Sequence, residues 1–366
     1  ILDCAEPFVD EKIPVTMYDH CIRAIDKVLE RFSERGLPLI GEGDWNDGLS
    51  AVGLDMKGES IWLGHFIHRI LQDFSEIAGR NKDTERANTY STRANLLKEK
   101  LNTLGWDGEY YYGATKDSGE KIGSKENTEG SLWLNPQTWA VIGGVADEER
   151  SRQVMDVVEK KLEYKIGPLL LHPAYKTPDK YVGYLTRYAA GMRENGGVYT
   201  HGATWTVIAE AMLGRGDNAY RIYSKLNPIH RVKNPGEYCA EPYVTAGNIE
   251  GPDSAFFGRG GWTWYTGSAA WLFKVGLEWI LGIRGTIDGL MIDPCIPAAW
   301  NRYKVKRTFR GAVYNIEVKN PEHVQCGVKK LWVDGTRHCM TRGPRNKVVP
   351  QFADGTSHEV IVVLGS

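Results

Sequence analysis

The feature that most constrains the fold of this 366-residue chain is a helical spacing of apolar residues that persists to about residue 283. In residues 18–35, apolar side chains recur every three or four positions from Cys21 to Phe32, and Gly36 ends the pattern. Short Gly/Asp turns alternate with long polar loops, as expected of a toroid of helical hairpins with its functional loops on one face. The spacing predicts about eight helices, at residues 18–35, 59–78, 84–104, 135–145, 148–162, 203–213, 217–226 and 267–281.

The pattern changes after Gly282. Short apolar runs separated by turns such as Asp334-Gly335 are typical of strands, and no Pro/Ser-rich linker precedes them. We therefore expect a helical body at residues 1–283 and a small β-rich region at 284–366. The predicted strands lie at residues 290–292, 314–318, 328–333 and 360–363.

Composition narrows the class of partner. Basic and acidic residues balance at 45 and 46, which argues against nucleic acid or an anionic membrane. No apolar stretch is long enough to span a membrane, and the first residues do not resemble a signal peptide. The chain also opens without a methionine, as if inside a longer protein. Six cysteines without CxxC spacing predict reduced thiols in a cytoplasmic protein, at positions 4, 21, 239, 295, 326 and 339.

Residues 41–50 carry the clearest chemistry. Asp44 and Asp47 flank Trp45 between glycines, directly after an apolar run. A carboxylic acid beside an aromatic plane can hold a sugar ring and protonate its glycosidic oxygen. The alternative is an ordinary turn, because Asp, Asn and Gly are common turn residues. Twelve Trp and eighteen Tyr also fit a carbohydrate site, although most large aromatic residues fill a core.

Three further loops are too polar and aromatic to be mere connectors, at residues 191–205, 239–244 and 258–271. Glu194 and Glu241 are candidates for hydroxyl binding or catalysis, or for pairing with arginine. Thr266 and Gly267 precede an apolar helix, whose first N–H groups would favour an anion. A cation such as His201 or Arg193 beside them would complete a phosphate pocket; the alternatives are an ordinary helix cap and a loop histidine.

A metal site is not expected from this sequence. His65 and His68 lie three residues apart on a predicted helix, but no third ligand is near them in the sequence. We therefore interpret both as core or surface histidines.

Taken together, these blocks resemble glycoside hydrolase family ninety-four, the inverting β-glucoside phosphorylases, and in particular the C-terminal part of such enzymes. The resemblance runs over nearly the whole chain and includes residues 57–63, 106–108, 135–140 and 292–297. It implies a mainly α fold, a partial (α/α)6 barrel followed by a β-rich extension. It also implies inorganic phosphate as co-substrate, with no other cofactor, and a β-glucoside oligosaccharide as partner.

The resemblance assigns roles to individual residues. Asp47 would be the general acid, and Trp45 would line the donor sugar site. Arg193 stands where relatives carry a Lys or Arg that faces sugar or phosphate. The family's phosphate site falls on three residues of this chain, His201, Thr266 and Gly267.

Two departures limit this transfer. The resemblance implies that the chain starts inside the barrel, without the N-terminal half that supplies an Arg and an Asp to the donor site in relatives. Residues 173–187, which help to recognise the acceptor, differ from the cellobiose enzymes, and other blocks are closer to the β-1,2-glucan branch.

Several alternatives therefore stay open. The chain could belong to an inverting β-glucoside hydrolase with Glu194 or Glu241 as base, or be a non-catalytic carbohydrate-binding fragment. It could also be inactive in isolation. The missing N-terminal half and a second copy of the chain are further candidate partners.

Overall fold

The computed structural model describes residues 5–7, 14–264, 267–338 and 347–365, with only the backbone of residues 5–7. The chain divides into two compact units. The first unit comprises Ile1–Val154 and Leu171–Ala189, and the second comprises Met155–Leu170 and Ala190–Ser366.

Helices dominate up to residue 280. A 3-10 turn covers Tyr184–Arg187, and a π-helix covers Val275–Ile280. The described residues form α1 (Met17–Leu29), α2 (Ile61–Arg80), α3 (Thr84–Leu104), α4 (Leu134–Ile142), α5 (Glu148–Lys161), α6 (Thr200–Met212), α7 (Gly216–Leu226), α8 (Pro228–Arg231), α9 (Pro235–Tyr238) and α10 (Ser268–Lys274).

All eight predicted helices are present, most of them with shifted ends. The region predicted at 18–35 is helical only to Leu29, because Phe32 then pairs with Pro38 in a β-bridge. The region predicted at 267–281 is α-helical from Ser268 to Lys274 and continues as the π-helix. Helix α3 has the predicted bounds.

Local capping explains where several helices begin. Thr16 and Asp19 form a capping box at α1, with each side chain accepting from the other residue's backbone N–H. The Ser60 side chain accepts a hydrogen bond of 3.0 Å from the Leu63 N–H at the start of α2. Asp83 does the same for Arg86 at α3. These bonds satisfy backbone donors that have no partner inside the helix.

Two helices differ from the rest in burial. Every residue from Leu134 to Val141 of α4 is buried, and so is every residue from Gly202 to Glu210 of α6. A helix without a polar face must be covered by neighbours on all sides. In the first unit α4 packs on α2, which pairs with α3; in the second unit α6 packs on α7 and α10.

Short strands link the helices, and the C-terminal region contains strands of up to eight residues. They are β1 (Ala5–Pro7), β2 (Pro14–Thr16), β3 (Glu59–Ser60), β4 (Ala114–Thr115), β5 (Lys121–Ile122), β6 (Leu132–Trp133), β7 (Glu163–Tyr164), β8 (Gly167–Pro168), β9 (Leu171–His172), β10 (Val198–Tyr199), β11 (Asn248–Ile249), β12 (Gly260–Gly261), β13 (Ile283–Thr286), β14 (Gly289–Ile292), β15 (Arg302–Phe309), β16 (Ala312–Lys319), β17 (Val328–Val333), β18 (Thr336–Arg337), β19 (Val348–Val349) and β20 (Ser357–Leu364).

The C-terminal region is β-rich, and the four predicted strands are confirmed as β14, β16, β17 and β20. A five-stranded sheet has the order β15-β16-β20-β17-β18, in which β16 and β20 run parallel. Asp334 and Gly335 both have positive φ and join β17 to β18 in a two-residue hairpin. Strand β15 was not predicted, because its alternating charged residues do not form an apolar run.

Gly183 packs against the loop that follows the acidic turn of residues 43–47. Its φ is +128°, and a Cβ there would lie 2.5 Å from both the Gly48 carbonyl oxygen and the Ser50 nitrogen. We expect Gly183→Ala to lower the free energy of unfolding by about 2–3 kcal/mol, through backbone strain and this clash.

The matched control is Gly119→Ala, at φ +85° with no atom within 4 Å of the added Cβ. It should cost only about 1–2 kcal/mol for the left-handed backbone. Urea denaturation of both variants measures the difference. Equal losses would show that contact with residues 48–50 does not matter.

Candidate active site

The turn at residues 43–47 is anchored at both ends in the core of the first unit. Ile40 and Leu49 are buried in one apolar cluster with Trp133, Tyr175 and Leu185. The Gly48 carbonyl accepts a hydrogen bond of 3.1 Å from the Leu185 N–H. The polar residues between these anchors are therefore held on a fixed base.

Asp44 is half-buried, and both of its carboxyl oxygens accept hydrogen bonds. Oδ1 accepts from the Asn46 N–H at 2.8 Å, and Oδ2 accepts from the Ser60 hydroxyl at 2.7 Å. Loss of water around the group raises the pKa of Asp44 to about 6, and these hydrogen bonds oppose the shift. The carboxyl group can therefore hold a proton in mildly acidic solution.

Asp47 has a different environment on the same turn. It is exposed, and within the described residues its carboxyl group makes no hydrogen bond. The buried Asn46 side chain accepts from the Gly48 N–H at 3.0 Å, and Trp45 is half-buried. Because Asp44 and Asn46 each accept from the residue two positions on, the segment is also an Asx turn. The turn and the segment that carries both candidate carboxyl groups are thus the same.

In the second unit, a small sheet joins two of the predicted loops. Strand β11 lies between β10 and β12 and pairs with both in antiparallel fashion. Strand β10 ends at Tyr199, directly before α6, and β12 lies shortly before α10. The loops that carry Arg193 and Trp262 are brought together by this pairing.

Arg193 connects these two loops. Its guanidinium lies 3.5 Å from the centre of the Trp262 ring, and its Nε lies 3.2 Å from a carboxylate oxygen of Glu194. The Glu194 side chain is only 3% exposed. A buried carboxylate needs such a cation to offset its desolvation. Glu194 therefore has an ion-pairing role in this structure.

Glu241 lies in an exposed aromatic group. Its carboxylate accepts from the Trp264 indole N–H at 2.9 Å, and Tyr243 packs edge-on to Trp264 at 6.4 Å. Hydrogen bonds from its own backbone N–H, Thr263 and Trp264 lower the pKa of Glu241. Trp264 and Tyr243 are 74% and 73% exposed, so two ring faces and a carboxylate are available to a ligand.

His201 lies in the first turn of α6, between two indole rings. Its ring centre is 5.1 Å from that of Trp205 and 5.6 Å from that of Trp271 on α10. Burial lowers the pKa of His201 to about 4. The imidazole is therefore neutral near pH 7 in this structure, and it would offer an N–H donor to an anion, not a formal charge.

The start of α10 is partly described. The helix begins at Ser268 with Gly267 as its N-cap, and no side chain caps it. Among the described residues, no atom lies within 4 Å of the position that a Cβ of Gly267 would take. Thr266 lies outside the described residues.

The remaining predictions concern histidines, cysteines and membranes. His65 and His68 are both fully buried core residues, and His68 Nδ1 lies 2.8 Å from the Gly143 carbonyl oxygen. The four cysteines in the described part of the chain are free thiols, Cys21, Cys239, Cys295 and Cys326. Cys4 and Cys339 lie outside the described residues. In the described ranges, no group of three or more His, Cys, Asp and Glu side chains is arranged to hold a metal. None of the described helices combines the length and apolarity that crossing a membrane requires.

The predicted residues thus fall into two sets. Asp44, Trp45 and Asp47 share one turn of the first unit, and Arg193, Glu194, His201, Glu241 and Gly267 belong to the second. The aromatic partners of this second set were not singled out from the sequence. The signal available in the sequence was the high tryptophan content of residues 262–271. The partners are Trp205, Trp262, Trp264 and Trp271.

Two family models match the chain. The catalytic-domain model of the glycosyl hydrolase 94 superfamily matches residues 1–282. The C-terminal-domain model of glycosyl hydrolase family 65 matches residues 283–330.

Several characterised proteins are similar in sequence. A solabiose phosphorylase of Paenibacillus borealis is 36% identical over 97% of the chain and 46% of its own length. A cyclic β-(1,2)-glucan synthase of Rhizobium meliloti is 41% identical over 82% of the chain and 11% of its length. An N,N′-diacetylchitobiose phosphorylase of Vibrio proteolyticus is 36% identical over 98% of the chain and 44% of its own length. The chain therefore spans less than half the length of these relatives.

Two solved structures share the fold at low identity. A sialidase gives a TM-score of 0.58 at 13% identity, over 79% of this chain and 26% of its own. A GH78 family rhamnosidase from a Bacillus species gives a TM-score of 0.50 at 18% identity, over 84% of this chain and 31% of its own.

The environment of Asp44 generates a prediction about stability. Its pKa is raised in the folded state, so its favourable contribution is complete below about pH 4 and is lost as the pH rises through about 6. Asp44→Asn keeps the shape and removes the charge. We expect the melting temperature of Asp44→Asn minus that of wild type to increase by roughly 2–4 °C from pH 4 to pH 7.5.

Thermal unfolding across this pH range measures the effect. Glu42→Gln, which removes an exposed carboxyl group from the same turn, is the control. A gap between Asp44→Asn and wild type that does not change with pH would contradict the desolvation of Asp44.

Proposed function

We propose, since this chain belongs to the glycosyl hydrolase 94 superfamily, that it is part of an enzyme that cleaves a β-glycosidic bond with inorganic phosphate. Relatives named as phosphorylases support this reaction class. Because the chain spans less than half of their length, the proposal concerns the whole protein.

The finer proposal is inverting phosphorolysis of a β-glucoside. The products would be α-glucose 1-phosphate and a shortened sugar. The names of the relatives include solabiose, N,N′-diacetylchitobiose, cellobionic acid and 1,2-β-oligoglucan, so the family varies its sugar. We propose a β-glucoside of the β-1,2-oligoglucan, cellobiose or laminaribiose type.

The observation that carries this proposal is the pair of unlike carboxyl groups on one rigid turn. Both carboxyl oxygens of Asp44 already accept hydrogen bonds, from Asn46 and from Ser60. Asp44 can therefore hold the turn, but it has little capacity left to accept a hydrogen bond from a sugar hydroxyl. Asp47 is exposed on the same turn. In this proposal Asp47 donates its proton to the bridging oxygen, and Trp45 contributes an apolar surface for the sugar ring.

Phosphate supplies the nucleophile in this mechanism, so no second catalytic carboxylate is needed. His201, Thr266 and the Gly267 N–H are proposed to bind it. The neutral imidazole of His201 would act as a hydrogen-bond donor, and a bound dianion would raise its pKa from about 4. Phosphate is the only co-substrate proposed, and no other cofactor enters the reaction.

Sugar binding in the second unit is proposed for Arg193, Glu194 and Glu241. The exposed rings of Tyr243 and Trp264 beside the Glu241 carboxylate support it, because sugars present both hydroxyl groups and apolar C–H faces. Glu194 would act mainly by holding Arg193 in place.

The alternative enzyme is an inverting hydrolase with Glu194 or Glu241 as base. Neither carboxylate is well suited to that role, since Glu194 is paired with Arg193 and hydrogen bonds lower the pKa of Glu241. A non-catalytic carbohydrate-binding fragment is the other alternative. It predicts sugar binding without turnover.

The finer fold assignment is also a proposal. The helix pairs α2–α3 and α6–α7, and the all-round burial of α4 and α6, support part of an (α/α)6 barrel at residues 1–283. The β-rich extension would then comprise residues 284–366. The rest of the barrel, and donor-site residues, would come from the N-terminal half of the parent protein.

Phosphate dependence tests the reaction class. In the complete protein, cleavage of a β-glucoside should require inorganic phosphate and yield α-glucose 1-phosphate, as read by coupled assay and by NMR of the anomeric proton. Asp47→Asn should lower this rate by about 10²–10⁴-fold, the usual contribution of a positioned general acid.

Glu42→Gln, on the same exposed turn, serves as the activity control and should stay near wild type. Asp44→Asn should cost less than Asp47→Asn, because the amide can keep the bonds to Asn46 and Ser60. Turnover in phosphate-free buffer would favour the hydrolase, and near-wild-type rates in Asp47→Asn would reject Asp47 as the acid.

The phosphate residues have their own test. His201→Ala and Thr266→Val should each raise the KM for phosphate about 10- to 100-fold, the range for losing one hydrogen bond to a charged group. His230→Ala, an exposed histidine of the same unit, is the control. Phosphate is varied at saturating glucoside; a change confined to the KM for the glucoside would place the anion pocket elsewhere.

A further inference from the structure

Two of the free cysteines face each other in the β-rich region of the second unit. Cys295 follows β14, Cys326 precedes β17, and the two form an isolated antiparallel β-bridge. The residues beside them are joined by a backbone hydrogen bond, in which the Ile296 N–H donates to the Gln325 carbonyl at 2.8 Å. The two cysteines are thus neighbours in space, although 31 positions separate their numbers in the sequence.

The position of this hydrogen bond defines the type of pair. Because it joins the flanking residues, Cys295 and Cys326 occupy a non-hydrogen-bonded position of the ladder. Cα atoms in such a pair lie about 4.5 Å apart, with both side chains on the same face. A disulfide requires Cα atoms roughly 4.4–6.8 Å apart. The backbone therefore already has the spacing of a disulfide.

The two side chains also share one environment. Both line a cavity of about 350 Å³, together with Gly214 and Asp293. The Cys326 sulfur lies close to Gly214, 2.9 Å from where a Cβ would stand. A side chain at position 214 would therefore crowd the sulfur, and glycine leaves it room in the cavity that Cys295 also lines.

We propose that Cys295 and Cys326 form a reversible disulfide when the protein meets an oxidised low-molecular-weight disulfide such as glutathione disulfide. This modification site is independent of the proposed glycoside chemistry. The reduced dithiol and the disulfide would be two covalent states of the same fold.

The difference in exposure sets the order of the steps. Cys326 is exposed, whereas Cys295 is 3% exposed. The Cys326 thiolate attacks one sulfur of glutathione disulfide, that S–S bond breaks, and one glutathione thiolate leaves. The Cys295 thiol then loses its proton to solvent and attacks the Cys326 sulfur, which releases the second glutathione thiolate. Two protein thiols are oxidised, and one glutathione disulfide is reduced to two glutathiones.

The second step should be the slow one near neutral pH. Burial raises the pKa of Cys295 to about 12, and the acidic groups Cys326, Asp293, Glu210 and Asp217 add to the effect. Arg284 and Lys347 line the same cavity, each in an ion pair with Asp293. Since only the thiolate attacks, closure of the disulfide should accelerate as the pH rises.

The disulfide would hold the β-rich region next to the start of helix α7. The Asp217 N–H donates to the Gln325 side chain at 2.9 Å, and the Ala298 N–H donates to the Asp217 carboxylate at 3.1 Å. The segments on both sides of the bridge thus hold the start of α7. A disulfide closing this loop restricts the unfolded chain and should stabilise the fold.

The experiment uses the whole protein in glutathione redox buffers, followed by alkylation and peptide mass analysis. In wild type, the peptides of Cys295 and Cys326 should become linked with the loss of two hydrogens, faster at pH 9 than at pH 7. The melting temperature should rise by roughly 5 °C and return on reduction.

Three variants separate the outcomes. Cys295→Ser should stop at Cys326 carrying one glutathionyl group, and Cys326→Ser should leave Cys295 unmodified. Cys239→Ser removes another exposed thiol of the same unit and should behave like wild type. Wild type in which Cys326 is glutathionylated while Cys295 stays alkylatable at every pH would overturn the proposal. Linkage of either cysteine to a different cysteine would do the same.

Discussion

The candidate catalytic turn depends on the way the Asp44 carboxyl group is held. Its two oxygens accept from Asn46 within the turn and from Ser60 at the start of α2, so one side chain ties the acidic segment to a helix. The same Ser60 hydroxyl accepts from the Leu63 N–H and caps that helix. Desolvation makes the charged form of Asp44 costly, which raises its pKa to about 6. Position and protonation are therefore coupled at this residue.

The apolar cluster beneath the turn makes that coupling specific. Leu49 and Leu185 are buried together, and the backbone of Gly48 is bonded to Leu185. Gly183 allows the two segments to approach more closely than any side chain would permit. Asp47 is exposed, whereas Asn46 and Gly48 on either side of it are buried. As the proposed general acid, Asp47 would combine access to the substrate with a backbone that its neighbours hold in place.

The second unit uses aromatic rings to position its polar groups. Trp262 supports Arg193, Trp264 binds Glu241, and Trp205 and Trp271 flank His201. Removal of water by these rings keeps His201 neutral near pH 7. In the proposed phosphate site, His201 would therefore act as an uncharged hydrogen-bond donor. The rings thus set the position of Arg193 and Glu241 and the protonation state of His201.

Residue order alone determined the helices, four of the strands, the Asp334-Gly335 hairpin and the family resemblance. These signals are local: apolar spacing, caps and turn residues act within a few positions of the chain. Strand β15 was missed, since its pairing with β16, and not its own composition, makes it a strand. The sequence predicted both Asp44 and Asp47 as site residues, but it could not show that their environments differ. Only the tertiary structure decided that Asp44 meets Ser60, that Glu194 is buried against Arg193, and that Cys295 faces Cys326. Desolvation and strand pairing depend on atoms brought together from distant parts of the chain, and those contacts exist only after folding.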